Sequence, residues 1–157
     1  MSTKQITRGA MIAGLYLVVT YILSPISFGP LQFRAAEALT VLPILYPEAV
    51  PALFIGVLLA NIFGGLGMVD IIGGSFVTLL AAYFTYQYRD TIIAYLSPII
   101  LNGLLISAYL HLFFGVPYLV VVAQITVSQA VVVLGLGYPL IKFLRPKVNK
   151  IEFLKRE

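Results

Sequence analysis

Polar and apolar positions in this chain fall in long blocks, not at the spacing of a surface helix. After Lys4 and Arg8 the sequence stays apolar as far as Leu23, where Ser24-Pro25 breaks it. A run of that kind has the length of a membrane crossing, about 20 residues, and predicts a first helix over Ile6–Leu23. The next segment, Pro25–Leu31, has two prolines and a glycine and is expected to be a loop. A second helix is predicted over Phe33–Leu45, kinked at Pro43 and only about 20 Å long. Tyr46-Pro47 turns the chain into a third helix, Glu48–Phe63, with Pro51 in its first turn, where the missing N–H is tolerated. Gly64–Gly67 is a loop. A fourth helix is expected over Val69–Tyr88, a fifth over Thr91–Phe114 and a sixth over Tyr118–Phe143, with turns at Gln87–Asp90 and Gly115–Pro117. The pattern therefore predicts an all-α membrane protein with six transmembrane helices. Its domain would be residues 1–146, followed by a basic tail, 147–157.

Composition agrees with this reading. The chain is 61% hydrophobic and 10% charged, with a mean hydropathy of +1.02, whereas soluble domains carry about 25% charged residues. There is no cysteine, which excludes disulfides, thiolate metal sites and cysteine nucleophiles. With a single histidine, a catalytic metal centre or a histidine-based nucleophile site is not expected. No phosphate-binding GxxxxGK[ST] loop is present, so the chain has no ATPase motif of that kind. No cofactor is implied. The net charge of +4 does not point to nucleic acid, because the basic residues flank the apolar runs. The first apolar run lacks a small-x-small cleavage site at its far end, so it is expected to be retained.

Charge also predicts orientation. With six crossings, the N-terminus, the turns after the second and fourth helices and the C-terminus share one side. That side carries Lys4, Arg8, Arg89, Lys142, Arg145, Lys147, Lys150, Lys155 and Arg156; the other carries only Arg34. By the positive-inside rule both termini are expected to be cytoplasmic.

Arg34 then lies on the translocated side, against the sign rule, three residues from Glu37 at the mouth of the apolar stretch Leu31–Pro47. Ionisable groups at such places mark functional sites. Asn61, in the last turn of the third helix, and Asp70, opening the fourth, share that side. Asn102 lies about 18 Å below the outer end of the fifth helix. Gln124 is about two turns into the sixth, with Ser128 one turn deeper on the same face. These groups come from five helices and can converge on a cavity open to the outside. Gly73 and Gly74 remove bulk below Asp70, and Phe28, Phe33 and Tyr109 are candidates for stacking on a small, flat, polar ligand. Structural readings stand beside these: Arg34 and Glu37 as an interfacial ion pair, Asp70 as a helix-terminal carboxylate, and Asn61, Asn102 and Gln124 as interhelical hydrogen-bond glue. Gln129 sits about 140° around its helix from Gln124, and His111 about 180° from Asn102, so both are expected to face elsewhere. Glu48 reads as a first-turn helix residue or as a contact for a cytoplasmic partner. In the first helix, Gly9/Ala13 and Ala10/Gly14 form overlapping small-xxx-small pairs, whose partner is either internal or another protein.

The stretches QFRAAEALTVLP (Gln32–Pro43) and LFIGVLLANIFGGLGMVDIIGGSFVTLLAAYFTY (Leu53–Tyr86) resemble the QueT family, predicted queuosine-precursor transporters. These are substrate-binding S components of energy-coupling-factor (ECF) transporters. The resemblance implies the six-helix S-component fold in the cell membrane, with ligand held near the outer face. It implies a T component and two cytoplasmic ATPases as partners, with Gly9, Ala10, Ala13 and Gly14 as the docking strip for the T component. The implied ligand is a 7-deazaguanine such as prequeuosine base or queuine. Glu37 would take its N–H donors, Arg34 or Gln124 its carbonyl, and Asp70 its cationic aminomethyl group, with Asn61 and Asn102 completing the set. The alternatives are an S component for another small vitamin or base, and a structural membrane protein that binds no ligand.

Overall fold

The computed structural model describes residues 2–27 and 33–154, with side chains as far as residue 148. Phe28, a candidate stacking residue, lies outside the described residues, as do Leu31 and Gln32. Helix α1 is Thr3–Ile22. It is closed at its start by a reciprocal cap: the Gln5 amide N–H donates to Ser2 Oγ, and the Ser2 N–H to Gln5 Oε1 at 2.7 Å. Ser24–Ser27, expected to be loop, forms one more helical turn, because Pro25 falls in its first turn, where no N–H is needed. Then come α2, Ala35–Ile44; α3, Ala49–Phe63; α4, residues 68–87; α5, Ile93–Phe114; and α6, residues 118–154. The described residues contain no strand.

Two further elements differ from expectation. The last helix does not end at Phe143. It runs through Pro146 to residue 154, with Ile141, Leu144 and Val148 on its more buried side and Lys142, Arg145 and Lys147 exposed. Apolar residues at i, i+3 and i+7 give it one face to pack while the basic ones stay in solvent. The second departure is α2, which is a 3-10 helix throughout its ten residues. At about 2.0 Å per residue, ten residues reach the length that an α-helix would need thirteen for. Runs of this kind are uncommon because their hydrogen bonds are poorly aligned; here the surroundings impose it. Every residue from Ala36 to Ile44 is buried, and α2 is packed by all five other helices. A thin rod with three residues per turn lets neighbours close on all sides. Pro43 lies inside it, and Thr40 Oγ1 donates to the Glu37 carbonyl at 2.6 Å.

The helices meet closely where side chains are smallest. A Cβ at Gly56 of α3 would stand 3.0 Å from Tyr16 Cβ and 3.1 Å from the Ala13 carbonyl oxygen of α1. A Cβ at Gly137 of α6 would stand 3.1 Å from Val41 Cγ2 on α2. Three helices also carry a π turn, Asp70–Gly74 in α4, Asn102–Ile106 in α5 and Val133–Gly137 in α6. Such turns widen a helix by one residue and re-aim the side chains beyond them.

The outer surface is apolar. Met11, Leu15 and Ile22 on α1, Phe113 and Phe114 on α5, and Leu119 and Val127 on α6 are exposed, a surface that lipid accommodates and water does not. Thr3–Ile22, Ile93–Phe114 and Tyr118–Val148 are long and apolar enough to cross a membrane; Ala35–Ile44 and Ala49–Phe63 are apolar but shorter. At one end of the bundle, Arg8 pairs with Glu48 at 2.7 Å and lies 4.3 Å over the Tyr46 ring. Leu42, Tyr46 and Leu144 line one groove with Lys4 and Arg8 there. The start of the chain, the α2–α3 turn and the late part of α6 therefore share an end. Glu48 is more than a first-turn residue: it is buried and ion-paired.

The α1–α3 crossing gives a direct stability test. Gly56→Leu should overpack it and destabilise the protein by about 1–3 kcal/mol, read as a lower thermal midpoint in detergent. Gly14→Leu, on the open side of α1 with nothing within 4 Å, should leave that midpoint in place.

Candidate functional site

The other end of α2 begins at Arg34, in extended conformation, with Glu37 in the first turn. Glu37 is only 4% exposed. A carboxylate this deep in an apolar bundle must be held by donors, and it is held from two sides. The Tyr16 hydroxyl of α1 donates to Oε1. Asn102 Nδ2, from the π turn of α5, donates to Oε2 at 3.2 Å. Arg34 is close enough for its charge to act on the hydroxyls of both Tyr16 and Tyr109.

A second cluster forms around Asp70. Asn61 Nδ2 donates to the Asp70 carbonyl at 2.9 Å, tying the end of α3 to the π turn of α4. The Tyr109 hydroxyl donates to Asp70 Oδ1 at 2.9 Å. The Tyr109 ring passes across the two glycines: a Cβ at Gly73 would stand 3.4 Å from it, and one at Gly74 would stand 3.2 Å from Asn61 Nδ2. The space these glycines were expected to leave for a ligand is thus taken by Tyr109 and Asn61.

Two cavities lie on either side of Asp70 and Ile125, which line both. The deep one is bordered by Arg34, Glu37, Asn61, Tyr109 and Gln129, and its volume is ≈ 20 Å³, room for about one water. The outer one, ≈ 370 Å³, is bordered by Gln124, Leu110, Phe114 and Val121, a size typical of small-molecule sites. The structure therefore brings Arg34, Glu37, Asn61 and Asp70 to one deep cavity. Asn102 is fully buried behind Glu37 and acts by holding it. Gln124 borders the outer vestibule. Phe33 and Ser128 border neither cavity. His111 stays at the α5–α6 turn, where Nδ1 donates to the Val116 carbonyl at 2.7 Å.

Gln129 and Tyr16 correct the expected site. Gln129 is buried and lines the deep cavity. Its angle from Gln124 misleads, because the face that points inward is centred on Ile125, and Gln129 is one turn on from that residue at i+4. The signal for Tyr16 is its place at i+3 from Ala13, on the small-residue face that α3 covers. Several acceptors in this region have no partner among the described residues: Asn61 Oδ1, Asn102 Oδ1 and Gln129 Oε1.

A family model described as QueT transporter matches residues 6–146. The chain belongs to the QueT transporter family. The match takes in α1 from Ile6 onward, α2 to α5, every residue of both cavities and most of α6. A curated relative, the queuosine precursor transporter QueT of Lactococcus lactis subsp. cremoris, is 36% identical over 80 residues, 50% of this chain and 47% of that protein. The chain thus spans about half the length of the curated relative it matches. No solved structure matches the chain.

In this QueT-family chain the Tyr16–Glu37 bond is a structural part of the site. Tyr16→Phe should leave the buried carboxylate with one fewer donor and cost about 1–3 kcal/mol, seen as reduced stability to chemical denaturation in detergent; unchanged stability would mean that Glu37 does not depend on this hydroxyl.

Proposed function

We propose that this chain is the substrate-binding membrane subunit, the S component, of an ECF-type ATP-driven importer in the plasma membrane. Its ligand is a queuosine precursor, a 7-deazaguanine base such as prequeuosine base or queuine. The observation that carries this reading is the deep cavity: two carboxylates and a guanidinium, from Glu37, Asp70 and Arg34, border one small space inside an apolar-surfaced bundle. Family membership supports transport, and the function named for the Lactococcus relative supports the ligand class.

Six helices cross the bilayer and both termini are cytoplasmic. The shared end of Arg8, Tyr46 and Leu144 and the opposite placement of Arg34 and Glu37 along α2 support that arrangement. A guanine-like edge presents two N–H donors suited to Glu37 and a carbonyl suited to Arg34. The aminomethyl cation suits Asp70, with Asn61 beside it and Asn102 behind Glu37. Gln124 meets the ligand on its way through the vestibule. A purine-sized ligand needs far more than the ≈ 20 Å³ of the deep cavity, so binding involves an outward swing of Tyr109 from Asp70.

The ATP-driven step is supplied by a T component and two cytoplasmic ATPases. Of the small-residue strip, Ala13 is buried against α3 and Gly9 faces Ala52, while Ala10 and Gly14 are exposed. Docking falls to the exposed side of this strip, where Gly9, Ala10 and Ala13 line an apolar groove of ≈ 340 Å³ with Ile6, Pro51 and Ile55. Ala10→Leu should abolish uptake by cells and leave ligand affinity of the purified protein unchanged.

The direct test of the site is Glu37→Gln. Removing the charge from a buried hydrogen-bonded partner costs about 2–5 kcal/mol, so binding of prequeuosine base by calorimetry should weaken at least about tenfold. Unchanged affinity would remove Glu37 from the site.

A further inference from the structure

We infer that the groove between α1, the end of α2 and the late part of α6 binds an anionic phospholipid. Lys4 and Arg8 hold its phosphate, and Met11, Leu42 and Leu144 receive an acyl chain. The groove lies at the opposite end of α2 from Glu37, so this site is independent of which base the chain binds.

The groove has a volume of ≈ 540 Å³, larger than the vestibule, and joins an apolar wall to a basic rim. The wall comes from three helices: Met11 on α1, Leu42 on α2 and Leu144 on α6. At the rim, Lys4 is exposed and has no ion-pair partner among the described residues. Arg8 donates from one Nη to Glu48 at 2.7 Å and lies 4.3 Å over the Tyr46 ring. A guanidinium has five N–H donors, so this bond leaves others for a phosphate. Further along α6, Lys142, Arg145 and Lys147 are exposed and add to the positive potential of this end. No carboxylate borders the groove among the described residues. The Glu48 carboxylate next to Arg8 is buried and already paired.

Charge complementarity selects the occupant. A free phosphate satisfies the rim and leaves the apolar wall to water. A zwitterionic phospholipid fills the wall, but its headgroup cation meets Lys4 and finds no carboxylate in the groove. A phospholipid of net negative charge satisfies both parts. Basic side chains beside a membrane surface attract such lipids, and Tyr46 adds an aromatic ring of the kind that sits at headgroup depth. The groove is also distinct from the small-residue strip. Lys4, Arg8 and Met11 follow one another at i, i+4 and i+7 on α1. Ile6, Ala10 and Ala13 repeat that spacing two residues on, about 200° around the helix, where they line the other groove. A lipid held by Lys4 and Arg8 therefore leaves the strip uncovered, and a protein docked on the strip leaves the lipid in place.

The chain has no tryptophan, so a single introduced indole reports on the groove. The test is fluorescence quenching of the full-length Met11→Trp variant in lipid nanodiscs, with brominated phosphatidylglycerol and brominated phosphatidylcholine as probes. The anionic lipid should show an apparent affinity at least about fivefold higher, the effect of about one basic contact. Adding Lys4→Gln should lower that preference about fivefold; Lys4 is exposed, so the thermal midpoint should not move. Thr7→Trp, on the same groove, replaces Met11→Trp if that variant fails to fold. Ile92→Trp is the control. Ile92 is exposed beside Arg89 at the start of α5, where Tyr95 packs against Tyr138 of α6, and it should show no preference. Equal quenching by the two lipids in the groove overturns the site, as does quenching by neither, which would mean that protein fills it. A preference that survives Lys4→Gln, or that appears equally at Ile92→Trp, overturns it in favour of a diffuse attraction to this end of the bundle.

Discussion

A buried carboxylate at the head of a buried 3-10 helix is the constraint on which this structure depends. Glu37 is inside an apolar bundle, and an ionised group there is tolerated only with donors in place. Tyr16 and Asn102 supply them from α1 and α5. The same bonds fix where α2 sits along the bundle. Because α2 is surrounded by the other helices, its position sets the spacing of all of them. The thinness of the 3-10 rod and the small residues that face it, Gly137 among them, are the packing consequences of running a helix through the middle of so small a bundle.

The π turns connect this packing to the site. Asp70 and Asn102 each open one. A π turn weakens the regular ladder and re-aims the helix by a fraction of a turn. In α5 it lets Asn102 reach inward to Glu37. In α4 it directs the Asp70 carbonyl to Asn61 and its carboxylate to Tyr109. The polar groups are therefore held by backbone irregularities inside otherwise apolar helices, at a point where three buried amide oxygens have no partner among the described residues.

Much of this is legible in the sequence because the relevant signals are strong. Long apolar blocks and glycine-proline breaks mark the helices, with α3 and α5 close to their expected bounds. Arg34, Glu37, Asn61 and Asp70 stand out because polar residues are scarce in such a chain. Other features are not legible. A 3-10 helix and an α-helix share the same apolar pattern when every face is buried, so α2 gives no sign of its geometry. Tyr16 looks like one more apolar residue in α1 until its hydroxyl is seen against Glu37. Gln129 is missed when its angle is taken from Gln124, since only the packing of α6 shows that Ile125 marks the inward face. The extension of α6 past Pro146 is hidden by its charges, which read as a tail until the buried side of Ile141, Leu144 and Val148 is seen.

A structure of the protein with 7-aminomethyl-7-deazaguanine bound is the most direct test of the central claim. The base should lie in an enlarged deep cavity, with its N–H groups within hydrogen-bond distance of Glu37 and its ammonium against Asp70, and with the Tyr109 hydroxyl displaced from Asp70. A base bound elsewhere on the bundle, or bound while the Tyr109–Asp70 bond and the ≈ 20 Å³ cavity remain as they are, would contradict it.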